Sequence, residues 1–241
     1  MWPLIRISAF FMAVPIIGTK IIPTRVRLAL AFSLSLLVTP LLSDLPEVEL
    51  MSMAGVMVII NQVIIGLAMG FVMQVAMQIF TLTGQLIAMK MGLGFASMND
   101  PSSGVSVTII SQYYLILSTL LFLSVNGHLV LIDYIVDSFR YLPISSGGLS
   151  AEKFWFIASL GSWMFGSALV ISLPLLTALL VVNLAFGVMS RSAPQMNVFA
   201  VGFPITLVFG MLLMWVGMMS FLPNFYQFIE QGYGNMRQLL L

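Results

Sequence analysis

The sequence predicts an all-α, hydrophobic, membrane-type protein of six long, partly broken helical blocks, rising to eight helices if the longest are divided. Three observations carry this expectation. Charged residues make up 7% of the 241-residue chain, against roughly 25% in a soluble domain. Hydrophobic residues make up 60% and fall in runs long enough to cross a hydrocarbon core about 30 Å thick. Short clusters of Pro, Gly, Ser and charge separate the runs, and these are turn signals.

Residues 4–22 read as an apolar helix interrupted by Pro15, whose missing N–H and ring clash kink or end a helix. Arg6, Pro15, Gly18 and Lys20 break this segment, and no small-residue cleavage site follows an unbroken apolar core, so it reads as part of the mature protein rather than a signal peptide. Pro23-Thr24-Arg25-Val26-Arg27 is a turn, 28–42 a second apolar helix, and 44–49 an acidic loop. The run 50–89 has neither charge nor proline. As one helix it would be about 60 Å long at 1.5 Å per residue, well beyond a bilayer core. No Pro or Gly pair marks a hairpin within it, so one overlong helix is the expected form.

Beyond residue 104, the run 111–125 is helical and apolar, and Asn126-Gly127-His128 breaks or bends it before 129–139. Residues 143–150 form a Ser/Gly loop, with Ser150 as a cap and Glu152 as a dipole partner for the next helix. The run 151–190 is a second overlong block, divided at Pro174. Arg191-Ser192-Ala193-Pro194-Gln195-Met196-Asn197 is a short turn, 198–222 the last long apolar helix, and 223–241 a mildly amphipathic tail.

With six crossings, Lys20, Arg25, Arg27, Lys90 and Arg191 fall on one side, and Arg6, Arg140, Lys153 and Arg237 on the other. Five against four is too small an excess for the positive-inside rule to set an orientation. A net charge of +1 gives no basis for nucleic-acid binding. No Cys and a single His remove thiol chemistry, disulfides and most metal sites.

The stretch 85–104 stands apart. Gly92, Gly94, Pro101 and Gly104, three serines, Lys90 and Asp100 interrupt an otherwise lipid-like sequence. Irregular backbone cannot face hydrocarbon, because unpaired N–H and C=O groups cost several kcal/mol each; protein must enclose it, or it must line a watery cavity. This loop is the first candidate for function.

Other motifs are weaker. Gly66-Leu67-Ala68-Met69-Gly70 is a G-x-x-x-G pair, which admits close approach of another helix. Met69, Met73 and Met77 recur at i, i+4 and i+8. The stripe serves ordinary helix packing or, since thioethers are flexible and adaptable, a compliant seal. Gly92-x-Gly94 lacks the third glycine and the preceding strand of a dinucleotide fingerprint. His128 has no partner at metal-ligand spacing, and Asp133, Asp137 and Arg140 read as a helix-end network at a water boundary in preference to a proton relay. No nucleophile elbow or other catalytic constellation occurs, so no enzyme, cofactor or metal is expected.

Taken together, Trp2-Pro3-x-x-Arg6 with Pro15, Pro23-x-Arg25-x-Arg27, Gly94-Phe95-Ala96 before Asp100-Pro101, Asn126-Gly127-His128, and Ala193-Pro194-Gln195-Met196-Asn197 before Gly202-Phe203-Pro204 carry a resemblance over nearly the whole chain. It resembles the FliR family of flagellar biosynthesis proteins, which also includes the export-gate T component of injectisomes. Family members commonly extend upstream of the Trp-Pro pair, and many carry an acidic residue where Gln85 stands here and a neutral one where Lys90 stands.

The resemblance implies a core export gate of the flagellar type III secretion system, in which one such chain completes a helical ring of FliP and FliQ subunits. Residues 1–140 would be FliP-like and 141–241 a FliQ-like helical hairpin and tail. The ring would sit in the inner membrane at the flagellar basal body, raised toward the periplasm. FlhB, FlhA, rod-side basal-body proteins and unfolded substrates in transit are the further partners implied, and no nucleic acid. By the same resemblance Met91, Gly92, Gly94, Phe95, Met98, Asn99, Asp100, Pro101 and Gly104 form a plug in the channel, with Gly92, Gly94 and Gly104 giving the backbone freedom to move. Gly66, Gly70, Met69, Met73 and Met77 are expected at subunit packing surfaces, and Arg191, Pro194 and Gln195 at an interhelix turn that contacts FlhB. The competing class is a proton-coupled secondary transporter, which also uses broken helices at membrane depth.

Overall fold

The computed structural model describes residues 1–42, 52–94, 97–99, 106–145, 147–192 and 198–241. Among them are seven α-helices: α1 (Trp2–Ala13), α2 (Thr24–Val38), α3 (Met53–Lys90), α4 (Ile109–Ser124), α5 (Gly127–Tyr141), α6 (Ala151–Ser192) and α7 (Val198–Leu240). Two three-residue strands, β1 (Ser97–Asn99) and β2 (Ser106–Thr108), pair antiparallel between α3 and α4.

Each boundary has a local cause. α1 ends because Val14, extended at φ −67° and ψ 141°, precedes Pro15, and the residue before a proline is pushed out of the helical region. α2 starts directly after Pro23. The Ser52 side chain accepts from the Gly55 N–H at 3.0 Å and so caps α3. Thr108 caps α4 in the same way through the Ser111 N–H. Between α4 and α5, Asn126 sits in the left-handed region at φ 56°, and the two helices diverge by 69°. The expected break therefore falls at Asn126-Gly127.

Within the run 50–89, the described residues from Met53 onward form one helix, as the lack of breakers implies. At 38 residues, α3 is about 57 Å long. It is also the core. In the most apolar stretch of α3, 56% of residues are buried, against 11% for α6 and 17% each for α2 and α7. α1 runs alongside α3 in the same direction, with Arg6 and Ala9 over Gly66 and Ala13 over Gly70. α7 runs the opposite way, placing Gly232 at Ala76, Phe225 at Phe80 and Gly210 at Met91. α6 lies along a third side, where Thr83 Oγ1 approaches the Ala168 carbonyl.

Two expected divisions are absent. Pro174 lies inside the 42-residue α6, and Pro223 inside the 43-residue α7, which continues to Leu240 without a separate tail. A helix proline forfeits one hydrogen bond and strains the preceding turn, about 3 kcal/mol. Packing outweighs that loss at Pro223. Phe221, Phe225, Phe228 and Ile229 on both sides of it are buried, each large apolar side chain contributing about 1.5–3 kcal/mol. Phe80 meets Phe221 and Phe225 at centroid distances of 5.6 and 5.4 Å. At Pro174, buried Leu175 and Leu179 play the same part, and Thr177 Oγ1 donates to the Pro174 carbonyl at 2.9 Å. The chain is an all-α, membrane-type protein: among the described residues, four helices are long and apolar enough to cross a membrane, or five if the bent α4–α5 pair makes one span.

Candidate functional site at the stem of the central loop

The loop leaves α3 through a complete C-terminal cap. Leu93 N–H donates to the Ala88 carbonyl at 2.9 Å and Gly92 N–H to the Met89 carbonyl at 3.2 Å, the paired bonds of a Schellman motif. Gly92 is left-handed at φ 83°, which suits a residue without Cβ. A Cβ there would also lie 3.1 Å from the Phe203 ring of α7. In this conformation Gly92 is the left-handed corner at which the chain leaves α3.

Met91 anchors the stem. It is fully buried and fills the space above Gly210, where a Cβ would come within 2.5 Å of its methyl carbon. On the far side of the loop, Ser97, Met98 and Asn99 pair with Thr108, Val107 and Ser106. This short ladder satisfies backbone groups that hydrocarbon would leave unpaired, and it leads directly into the capped start of α4. Phe95, Asp100, Pro101 and Gly104 lie outside the described residues, as do Pro194 and Gln195, whereas Arg191 lies in the last turn of α6.

Two clefts flank the stem. One of about 420 Å³ is lined by Lys90, Gly92, Asn183, Phe186, Phe203 and Thr206. The other, about 550 Å³ and almost wholly apolar, gathers Met91, Met211, Met214 and Met218 beside Tyr113 and Trp215. This second methionine cluster went unrecognised in the sequence, although Met211, Met214 and Met218 recur at i, i+3 and i+7 on α7. Unbranched thioethers give it a surface that adapts to varied shapes.

The stripe singled out beforehand lies elsewhere. Met69, Met73 and Met77 are buried inside the chain, and the helix admitted by Gly66 and Gly70 is α1 of the same chain. In the single chain, ordinary helix packing therefore occupies all five residues expected at subunit surfaces. Asp137 and Arg140 form an exposed pair at 3.4 Å on one helix face.

Arg6 also went unassigned. It is fully buried, and among the described residues it meets no carboxylate. Nε donates to Gln62 Oε1 at 2.8 Å, one terminal nitrogen to the Ser138 carbonyl at 2.9 Å and its Oγ at 3.1 Å, the other to the Leu142 carbonyl at 2.7 Å. Its Cζ lies 4.3 Å from the Phe139 ring centroid. The C-terminal carbonyls of α5 supply the partial negative charge that a cation favours, and the contact ties α1 and α3 to the end of α5. The signal was available: an ionisable residue inside an apolar block is functional or structural by default.

Fold and stem together define an all-helical membrane-type protein with a loop, backbone-paired at 97–99 and 106–108, at the end of an overlong central helix. The sequence matches bacterial export proteins, family 1, over residues 1–232. It is 38% identical to the flagellar biosynthetic protein FliR of Pectobacterium carotovorum subsp. carotovorum over 99% of this chain and 90% of that protein. It is 36% identical to FliR of Escherichia coli K12 with the same coverage, and 31% identical to FliR of Bacillus subtilis 168 over 89% of this chain and 83% of that one. The chain belongs to this family of bacterial export proteins, the FliR family of the flagellar export apparatus.

Proposed function

We propose that the chain is the FliR-type subunit of a flagellar type III export gate, completing a hetero-oligomeric ring with FliP and FliQ and obstructing its channel with the loop 91–104. The carrying observation is α3, about 57 Å long and capped directly into the stem of the central loop. Such a helix exceeds a bilayer core of about 30 Å, which supports a ring raised from the inner membrane toward the periplasm at the basal body. Residues 1–140 act as the FliP-like part and 141–241 as the FliQ-like hairpin, consistent with α6 and α7 pairing along α3. The outward apolar faces, with Leu37, Trp155, Val181 and Trp215 each at least 66% exposed, exceed what a soluble monomer leaves uncovered and suit contact with sister subunits and lipid. FlhB at the 191–197 turn, FlhA, rod-side basal-body proteins and unfolded substrates complete the partner set. Family membership favours this reading over an ion-coupled transporter.

The loop's role is tested by deleting residues 98–103 in the assembled complex. An obstructing loop gives an increased leak of small molecules across the membrane; an unchanged leak with intact assembly removes the plug assignment.

A further inference from the structure

The open strip of the central helix is apolar at Met53, Met57, Ile60, Leu67 and Met89, and three glutamines interrupt it. Phe71, Gln74, Gln78 and Gln85 are exposed on α3, and their steps of three, four and seven place them on one helix face. Gln74 and Gln78 stand on a ridge between two clefts. One, about 420 Å³, also takes Gln112 and Thr119 from α4 and a wall from the turn after α1. The other, about 460 Å³, is closed by Phe154 and Ile157 of α6. Among the described residues, no charged side chain lines either cleft. Gln112 Oε1 is buried with no hydrogen-bond partner among the described residues. The wall itself is strained, since Ile16 is held at φ 72°, a conformation disfavoured for a β-branched side chain.

The chemistry of the strip selects its neighbour. A primary amide offers two donors and two acceptor sites, none of which hydrocarbon can satisfy. The backbone of a partner helix is already committed to its own ladder. An extended chain presents a free N–H and C=O at nearly every residue whatever its side chains. Uncharged amides pair with both while selecting for neither sign of charge.

We propose that the cleft of Gln74, Gln78 and Gln112 binds extended polypeptide backbone in transit, through sequence-indifferent side-chain to main-chain hydrogen bonds. This rests on the export reading above and names a contact surface for the substrate outside the loop.

The test uses the assembled complex in cells holding a stalled export substrate. A photoreactive amino acid is placed singly at Gln74 or Gln78, at Met98 in the loop, and at Val181 on the outward face of α6. Substrate adducts at 74 and 78, as strong as those at 98 and well above those at 181, support the inference. Adducts at 98 combined with only neighbouring subunits, or nothing, at 74 and 78 overturn it while leaving the export reading standing. No substrate adduct at 98, 74 or 78 overturns both. The combined Gln74→Leu, Gln78→Leu and Gln112→Leu variant should still co-purify with its partners yet export severalfold more slowly, and an unchanged export rate in that variant also overturns the inference.

Discussion

Replacing Arg6 by Met keeps most of the side chain's stem and volume while removing every donor. The loss can be worked contact by contact. The Ser138 carbonyl retains its bond from the Leu142 N–H at 2.9 Å, and Ser138 Oγ retains the Ile135 carbonyl at 2.7 Å. Gln62 Oε1 and the Leu142 carbonyl lose their donors, at about 1–3 kcal/mol each when left buried and unsatisfied. The cation over Phe139 adds about 1 kcal/mol. Removing the guanidinium also relieves its own desolvation, so the net destabilisation is about 2–4 kcal/mol. For a chain of this size each kcal/mol corresponds to about 2–4 °C, giving a fall near 10 °C. The assay is thermal loss of the monodisperse peak of the detergent-solubilised protein on size exclusion. Arg6→Lys should recover only part of the stability, because an ammonium lacks the planar fork that reaches Gln62 and both carbonyls together. A melting temperature for Arg6→Met within about 2 °C of the parent would refute the reasoning, since even one unsatisfied acceptor accounts for more.

Gly92→Ala forces a Cβ into the left-handed region beside Phe203 and should cost about 1–2 kcal/mol, read as a melting shift of about 2–8 °C with the same assay. Gly70→Leu places a Cβ 2.6 Å from that of Ala13 and 2.9 Å from backbone. Because backbone cannot yield as a side-chain tip does, α1 must move, with a loss of about 3 kcal/mol and a marked fall in folded yield. Asp137→Asn breaks only an exposed i,i+3 pair and should change stability by less than about 0.5 kcal/mol, leaving the melting temperature unmoved.

Which features the sequence disclosed depends on how far apart the interacting residues lie. The continuity of α3 was legible because it is a local property: a run without Pro or charge has nothing to end it. The break at Asn126-Gly127 was legible for the same reason. Pro174 and Pro223 misled because the breaker rule weighs one lost hydrogen bond and strained turn, whereas packing decides the matter: buried Leu175 and Leu179 beside Pro174, and Phe221 and Phe225 of α7 against Phe80 of α3. Gly66 and Gly70 announced a close helix contact but could not say whose helix, and it is α1. A lone arginine in an apolar block signalled a role for Arg6, but not its acceptors, which lie 56, 132 and 136 residues away. The cap at Gly92 carries a local signal, since a basic residue followed by glycine at a helix end marks a helix stop. The methionine groove required α7 to return antiparallel along α3, which no periodicity discloses.

The claim on which the account turns is that the outward apolar faces of α2, α6 and α7 are covered by sister subunits that close around the loop. Purification of the tagged chain in mild detergent, followed by mass measurement of the particle and identification of its components, tests this directly. A stoichiometric assembly containing FliP-like and FliQ-like chains is the expected result. A stable solitary chain, with detergent alone on those faces, would contradict it.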